Sequence, residues 1–283
     1  MSRRKWEKLG VFGVRIVAYV AVVLVAWVLL DIVINGIGVI SWEFLTGNPR
    51  KSGTEGGIFP VIIGTLCLVA GTVVFALPLG MGAAIYLTEY GRKGRLNNLI
   101  RLSIFTLAGV PSIVYGLLGL GLFVIFLDFG ASIIAGSLTL ALMILPVVIV
   151  ASEEALLAVP RGLREASLAL GATKWQTIRH NVLPYAVPGM LTGSILGVGR
   201  AAGETAPILL TAAAFSLRSL PDSVFDQVMA LPYHLYILAT QTPDVEAARP
   251  MQYGTALVLV ALVLGVNLAS ILLRRRFRRK YRW

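Results

Sequence analysis

The sequence is short of charge and almost without cysteine. Only 14% of its 283 residues are charged, against about 25% in an ordinary soluble domain. Hydrophobic residues make up 57%, and the mean hydropathy is +0.82. A water-soluble globule is excluded. The chain reads as an all-α, polytopic integral membrane protein in which the bilayer takes the place of a packed core. The single cysteine, Cys67, lies in an apolar run. It excludes an internal disulfide and suits a small core residue. The two histidines, His180 and His234, fall in loops and lack metal-ligand spacing. No G-x-x-x-x-G-K-[ST] occurs, so the chain carries no P-loop for ATP. Nor is there a nucleophile–base pairing or metal cluster in the apolar segments, which argues against an intramembrane hydrolase. Acidic residues number 14 against 25 Lys and Arg, a net charge of +11. Such an excess can mark nucleic-acid binding, so the location of the charges decides.

Long apolar runs are abundant, and a span needs about 20 such residues. Arg3, Arg4, Lys5 and Lys8 precede the first run, as in a signal peptide. The run from Val14 to Ile34 is too long for that, and no clear cleavage site follows, so it reads as a retained helix. The second span runs from Gly57 to Thr88, with a tilt or kink expected near Pro78. The third, Leu99 to Leu127, is interrupted by Gly109-Val110-Pro111-Ser112. The fourth is Ser132 to Ala151, the fifth about Tyr185 to Phe215, and the sixth Tyr253 to Leu273. Within the outer loop 216–251, the stretch Asp226 to Gln241 predicts a short helix on the outer surface or dipping into it.

Six spans place both termini on one side. That side receives 20 of the Lys and Arg residues and the other side 4, with Arg200 inside a span. The positive-inside rule then makes the termini and the polar stretch 152–183 cytoplasmic. The basic excess is topological, and nucleic-acid binding falls away. The basic tail 274–283 suits contact with anionic lipid head groups. Three units follow: 1–56, with the N-terminal segment, first helix and outer loop; 57–273, the main membrane domain; and the tail.

The stretch 152–183 is too polar to cross a bilayer. Leu163 to Leu170 is helix-prone, and Gly171 ends it as a residue tolerant of positive φ. Ala172 to Val182 predicts a second short helix, and Pro184 opens the next span. Periodicity alone favours an ordinary surface loop. The residues Glu165-Ala166-Ser167, Gly171 and Leu183-Pro184, however, resemble the EAA loop of ABC importer permeases in order and spacing. Two positions depart from that pattern. Ser167 replaces an alanine, and Asn181 stands where an aliphatic residue is usual, which predicts weaker packing before Leu183.

More of the chain is similar to one branch of that family, the phosphate permeases of the PstA type. The stretches 57–65, 77–91, 107–117 and 199–207 carry the resemblance, together with the outer stretch 230–241. It implies a type I ABC importer permease fold, with the EAA hairpin as the element that docks in a cytoplasmic ATPase. It also implies a multi-pass subunit of a bacterial or archaeal cytoplasmic (inner) membrane. The implied partners are a homologous PstC-type permease, two P-loop ATPase subunits that bind ATP and Mg, and a phosphate-binding protein on the outer face. No cofactor and no enzymatic activity are expected of this chain itself. Two alternatives remain: a permease for another oxyanion, sulfate or molybdate, and an ion-coupled secondary transporter, which would have no need of the hairpin.

Arg200 lies about midway along the fifth span, with Glu204 one helical turn later on the same face. An arginine there must face the bundle interior or a wet cavity. One reading is an intrahelical ion pair that neutralises itself. The other is a phosphate site: guanidinium is a planar fork of donors suited to phosphate oxygens. Glu204 would hold the fork or accept from a protonated phosphate oxygen, with the Thr205 hydroxyl nearby. Pro111-Ser112 reads either as a simple kink or as the start of a half-helix whose free amides face an anion, with Ser112 and Tyr115 lining the path. Glu153 and Glu154 read as surface charges or supports of the hairpin.

Overall fold

A computed structural model describes residues 3–91, 94–215, 217 and 220–280. Arg92, Lys93, Arg218 and Arg282, which contribute to the charge bias above, lie outside the described residues. Helix α1 (Arg3–Gly36) contains a stretch, Val11 to Gly36, long and apolar enough to cross a membrane, with Arg15 and Asp31 as its charged residues. It stands largely apart from the bundle, its apolar side chains exposed. Its outer end is tied to the last helix, where Gly36 lies against the Tyr253 carbonyl and Tyr253 donates its hydroxyl to Asp31 at 3.0 Å. A short helix α2 (Trp42–Thr46), N-capped by Ser41, leads to a two-stranded hairpin of β1 (Pro49–Arg50) and β2 (Glu55–Gly56).

The central pair is α3 (Phe59–Ile85) and α6 (Ile133–Leu157). Helix α3 runs through Pro78 and loses α geometry at Tyr86–Tyr90, where it widens into a π-helical turn. The expected disturbance thus falls at the end of α3 rather than at Pro78. Between α3 and α6, the third span is two helices, α4 (Arg95–Leu107) and α5 (Ser112–Gly119). The latter continues as a π turn over Leu120–Phe126, and the two segments are bent by 104°. Pro111 imposes the bend: it disfavours helical geometry at Val110 and cannot donate to the preceding turn. The next turn uses Asp128 at φ 55° and Gly130 at φ 63°. Ser132 then caps α6 by accepting from the Ala135 amide. The free amides of Ser132, Ile133 and Ile134 donate to carbonyls of Thr211, Asp226 and Val224, so the outer loop closes the top of α6.

Two expectations about the cytoplasmic stretch need adjusting. Helix α6 runs six residues beyond Ala151, so the hairpin proper begins at α7 (Arg161–Ala169). The second short helix, α8 (Lys174–Thr177), does not stand alone. It passes through a π turn over Ile178–Val182 into α9 (Leu183–Gly203). A capping box between Thr173 and Gln176 starts α8. Beneath the hairpin Leu87, Leu156, Val159, Val182 and Met190 form a closed apolar cluster, each large side chain worth about 1.5–3 kcal/mol when fully buried.

The fifth span is also shorter than its hydropathy suggests. Helix α9 stops at Gly203, Glu204 is extended at φ −77°, ψ 134°, and α10 (Ala206–Thr211) is a separate short helix. Pro207 is the physical reason, since in a continuous helix its ring would clash with the carbonyl of Gly203. Beyond it, α11 (Leu231–Thr240) is the helix expected in the outer loop. One face of it packs into the bundle. Leu231, Pro232, His234 and Leu238 are buried, and the Leu231 amide donates to Thr65 of α3 at 2.8 Å. The last helix, α12 (Val245–Lys280), begins eight residues earlier than expected and absorbs most of the basic tail. Among the described residues five helices are long and apolar enough to cross a membrane, or six if the bent α4–α5 pair counts as one span.

Candidate functional site

Arg200 occupies the last turn of α9. It therefore does not sit midway along a span, as its place in the hydropathy suggested. It lies about 26 Å of helix rise beyond Leu183, at the end of α9 away from the hairpin. Its Nε donates to Glu204 Oε1 at 3.0 Å. The two residues keep the i,i+4 spacing of a helical pair although Glu204 is the extended residue that ends α9. Both terminal nitrogens of Arg200 are without a hydrogen-bond partner among the described residues, and the side chain is 45% exposed. The pair borders a groove of about 500 Å³ between α9 and α12, walled by Gly199, Gly203, Leu259 and Val263. On its other side Glu204 reaches a small internal void against Thr65, Leu68 and Val69 of α3. A guanidinium held through Nε, with its terminal nitrogens unpartnered among the described residues, keeps donors of the kind that suit an oxyanion. Thr205 is half-buried at the break, beside Glu204.

Ser112 opens α5, as expected for a half-helix beginning after Pro111. Tyr115 lies one helical turn further along α5. It is buried, and its hydroxyl donates to the Leu107 carbonyl at 2.9 Å, pinning the end of α4 across the bend. Among the described residues no hydrogen bond or ion pair joins Ser112 or Tyr115 to Arg200 or Glu204. Helix α5 instead approaches the break through Gly116. A Cβ there would lie 3.1 Å from both the Ala206 carbonyl oxygen and Pro207 Cα.

In the hairpin, α7 closes with a Schellman arrangement. The Gly171 amide donates to Leu168 O and that of Ala172 to Ser167 O, with Gly171 at φ 85°. Glu165 and Ala166 are exposed, while Leu183 and Pro184 are half-buried where the hairpin rejoins α9. The two departures from the family pattern prove to be partners. Asn181 Nδ2 donates to Ser167 Oγ at 2.9 Å, and Ser167 Oγ lies 2.9 Å from Thr177 Oγ1. Asn181 therefore exchanges apolar packing for a polar lock across the hairpin, which spacing alone did not reveal. Leu168, Leu170 and Trp175 project outward, Leu170 at 90% exposure, and form an apolar crown on the knob.

Several functional contacts escaped the sequence. Arg164, just before the EAA residues, forms an ion pair with Glu89 at 2.8 Å and donates to the carbonyls of Leu156 and Val159. Its position beside the motif was the one available signal. Glu153 is a buried partner of Arg101 at 3.2 Å rather than a surface charge, because it faces α4 across the base of the bundle; Glu154 is exposed. His234 is not a loop residue but 1% exposed on α11, stacked near Phe215 with ring centroids 5.9 Å apart. Burial lowers its pKa to about 4, so its ring is neutral at pH 7. His180 Nδ1 lies 3.1 Å from the Gln176 carbonyl.

Residues 76–283 match the model of the binding-protein-dependent transport system inner membrane component. The chain belongs to this family. It is 35% identical over 285 residues to the probable ABC transporter permease protein YqgI of Bacillus subtilis, covering 95% of each chain. It is 39% identical over 255 residues to the phosphate transport system permease protein PstA of Mycobacterium leprae, covering 88% of this chain and 82% of that one. With the phosphate transport system permease protein PstA 1 of Mycobacterium tuberculosis it shares 36% over 259 residues, 90% of this chain. Among solved structures, the permease resembles a chain of the bacterial alginate ABC transporter complex, with a TM-score of 0.68 at 14% identity over 97% of this chain and 96% of that one. It also resembles a chain of the inward-facing MetNI methionine ABC transporter, with a TM-score of 0.62 at 20% identity over 78% and 97%. The fold is that of a type I ABC importer permease.

Proposed function

We propose that this chain is a transmembrane permease subunit of an ATP-driven importer of inorganic phosphate. The observation that carries the reading is the likeness, over about nine-tenths of the chain, to permeases named for phosphate transport in two mycobacteria. In this reading residues 57–273 form half of the translocation path, beside a homologous PstC-type permease that covers the α9–α12 groove. Arg200 meets the phosphate oxygens with its free nitrogens, Glu204 holds its Nε in place, and the Thr205 hydroxyl adds a donor. Such a fork favours a planar pair of oxygens over a lone halide. The break at Glu204–Thr205 gives the pair freedom that a continuous helix would deny.

The hairpin from Arg161 to Val182 docks in a cytoplasmic ATPase. Leu168, Leu170 and Trp175 enter its cleft, and exposed Glu165 meets its polar rim. ATP and Mg are bound and used by two such partner subunits, and this chain hydrolyses nothing. A phosphate-binding protein delivers to the outer face, and both termini lie in the cytoplasm of the inner-membrane system. The test joins topology to partnership. A cysteine replacing exposed Ser223 should react with an impermeant thiol reagent in intact cells, whereas one replacing Leu170 should react only after permeabilisation. The protein solubilised from its native membrane should co-purify with a P-loop ATPase, identified by mass spectrometry. Labelling of position 170 from outside, or absence of any ATPase, contradicts the reading.

A further inference from the structure

The cytoplasmic end of α3 is gripped by the hairpin at two separate points. The Arg164 guanidinium lies between elements. Nε and Nη2 donate to Glu89 Oε1 at 3.2 and 2.8 Å, while Nη1 and Nη2 donate to Val159 O at 2.7 Å and Leu156 O at 2.8 Å. One side chain thus joins α7, the end of α6 and the end of α3. Its carboxylate partner is 9% exposed and the guanidinium 19%, so solvent screens the pair little. Independently, Lys174 of α8 holds its ammonium 4.8 Å from the centroid of the Tyr90 ring, a favourable cation–π distance. Both grips fall on the π turn Tyr86–Tyr90, whose loosened backbone lets the end of the helix shift without breaking it.

The same helix lines a small void together with Glu204. Thr65, Leu68 and Val69 border the void that Glu204 enters, and Thr65 accepts the Leu231 amide of the outer helix α11. From Leu68 to Glu89 the rise is about 30 Å. We propose that α3 is the rod that couples the ATPase-docking hairpin to the Arg200–Glu204 region, with Arg164, Glu89, Lys174 and Tyr90 as the positioning residues that clamp its lower end. Displacement of the knob would then be felt at Glu204 through α3, and not only through the direct continuation of α8 into α9. The inference rests on the reading of the hairpin as the ATPase dock.

The test uses the assembled complex of both permeases, the ATPases and the binding protein in proteoliposomes, with phosphate imported and ATP hydrolysed measured together. Glu89→Gln is nearly isosteric and leaves Arg164 on the Leu156 and Val159 carbonyls, so the α6 end stays capped. Lys174 is exposed, and Lys174→Ala removes the second grip without touching the interior. Each variant should keep its ATPase subunits and hydrolyse ATP within about twofold of the unaltered complex, while phosphate moved per ATP falls about fivefold for Glu89→Gln and further for the double variant. A ratio unchanged in both variants overturns the proposal, even if both rates fall together, since that is the mark of a contact that only holds the fold. An unaltered complex that hydrolyses ATP and moves no phosphate sinks the transport reading itself, and the rod with it.

Discussion

Arg200→Gln is expected to lose nearly all phosphate uptake, by about a hundredfold, while Arg200→Lys keeps a measurable part. The guanidinium has one nitrogen committed to Glu204, its terminal nitrogens are unpartnered among the described residues, and the side chain lines the groove. Losing a charge-assisted contact of about 3 kcal/mol corresponds to roughly a hundredfold in rate. Lysine keeps the charge but not the fixed fork, so it restores attraction without geometry. Glu204→Gln separates two roles for the carboxylate. It can still accept a hydrogen bond, but it releases Arg200 from its partner. If Glu204 accepts from the protonated oxygen of phosphate, this variant loses discrimination against sulfate more than it loses rate. If the pair only neutralises itself, each single change lowers the amount of folded protein and the double change restores it, because no unpaired charge remains. Uptake of phosphate and sulfate by all four variants, normalised to folded protein, separates the cases. Full transport by the double variant would remove Arg200 from the phosphate path.

Gly171→Val is expected to leave the protein in the membrane and cost most of its ATPase association, about tenfold in co-purified subunit. At φ 85° a side chain is strained whatever the space, and no atom lies within 4 Å of the position a Cβ would take. The cost is therefore backbone, about 1–2 kcal/mol and more for a β-branched residue. It falls on the turn that aims Leu168 and Leu170 away from the membrane. Gly171→Asn is the control, since asparagine tolerates left-handed geometry. It should keep most of the association. A valine variant that docks and transports normally would mean that this hairpin is not the coupling element.

The fold was legible in the sequence where a single scale sufficed. Apolar runs located the spans, Gly171 marked the end of α7, and the break at Pro111 was visible in the residues. The misread elements were those in which proline, rather than hydropathy, decides. The run from Tyr185 to Phe215 is continuous in apolar character, yet Pro207 divides it and moves Arg200 from mid-span to a helix end. Charge contacts across sequence distance were the other blind spot. Nothing local ties Glu89 to Arg164 or Arg101 to Glu153, and periodicity cannot tell a buried carboxylate from a solvated one until the partner helix is in place. Asn181 taught the same lesson in reverse. Judged against its position it weakened the hairpin, whereas beside Ser167 it closes a polar lock. His234, unremarkable in sequence, is buried because one face of α11 packs among α3 and α12.

The central claim is ATP-driven phosphate import through this permease. The most direct measurement is uptake of radiolabelled phosphate into proteoliposomes holding the complete complex, with binding protein on the outside and ATP trapped within. Accumulation should require both the binding protein and hydrolysable ATP, and excess unlabelled sulfate should not compete. Accumulation without ATP in response to an imposed proton or sodium gradient, or uptake of sulfate in place of phosphate, would contradict it.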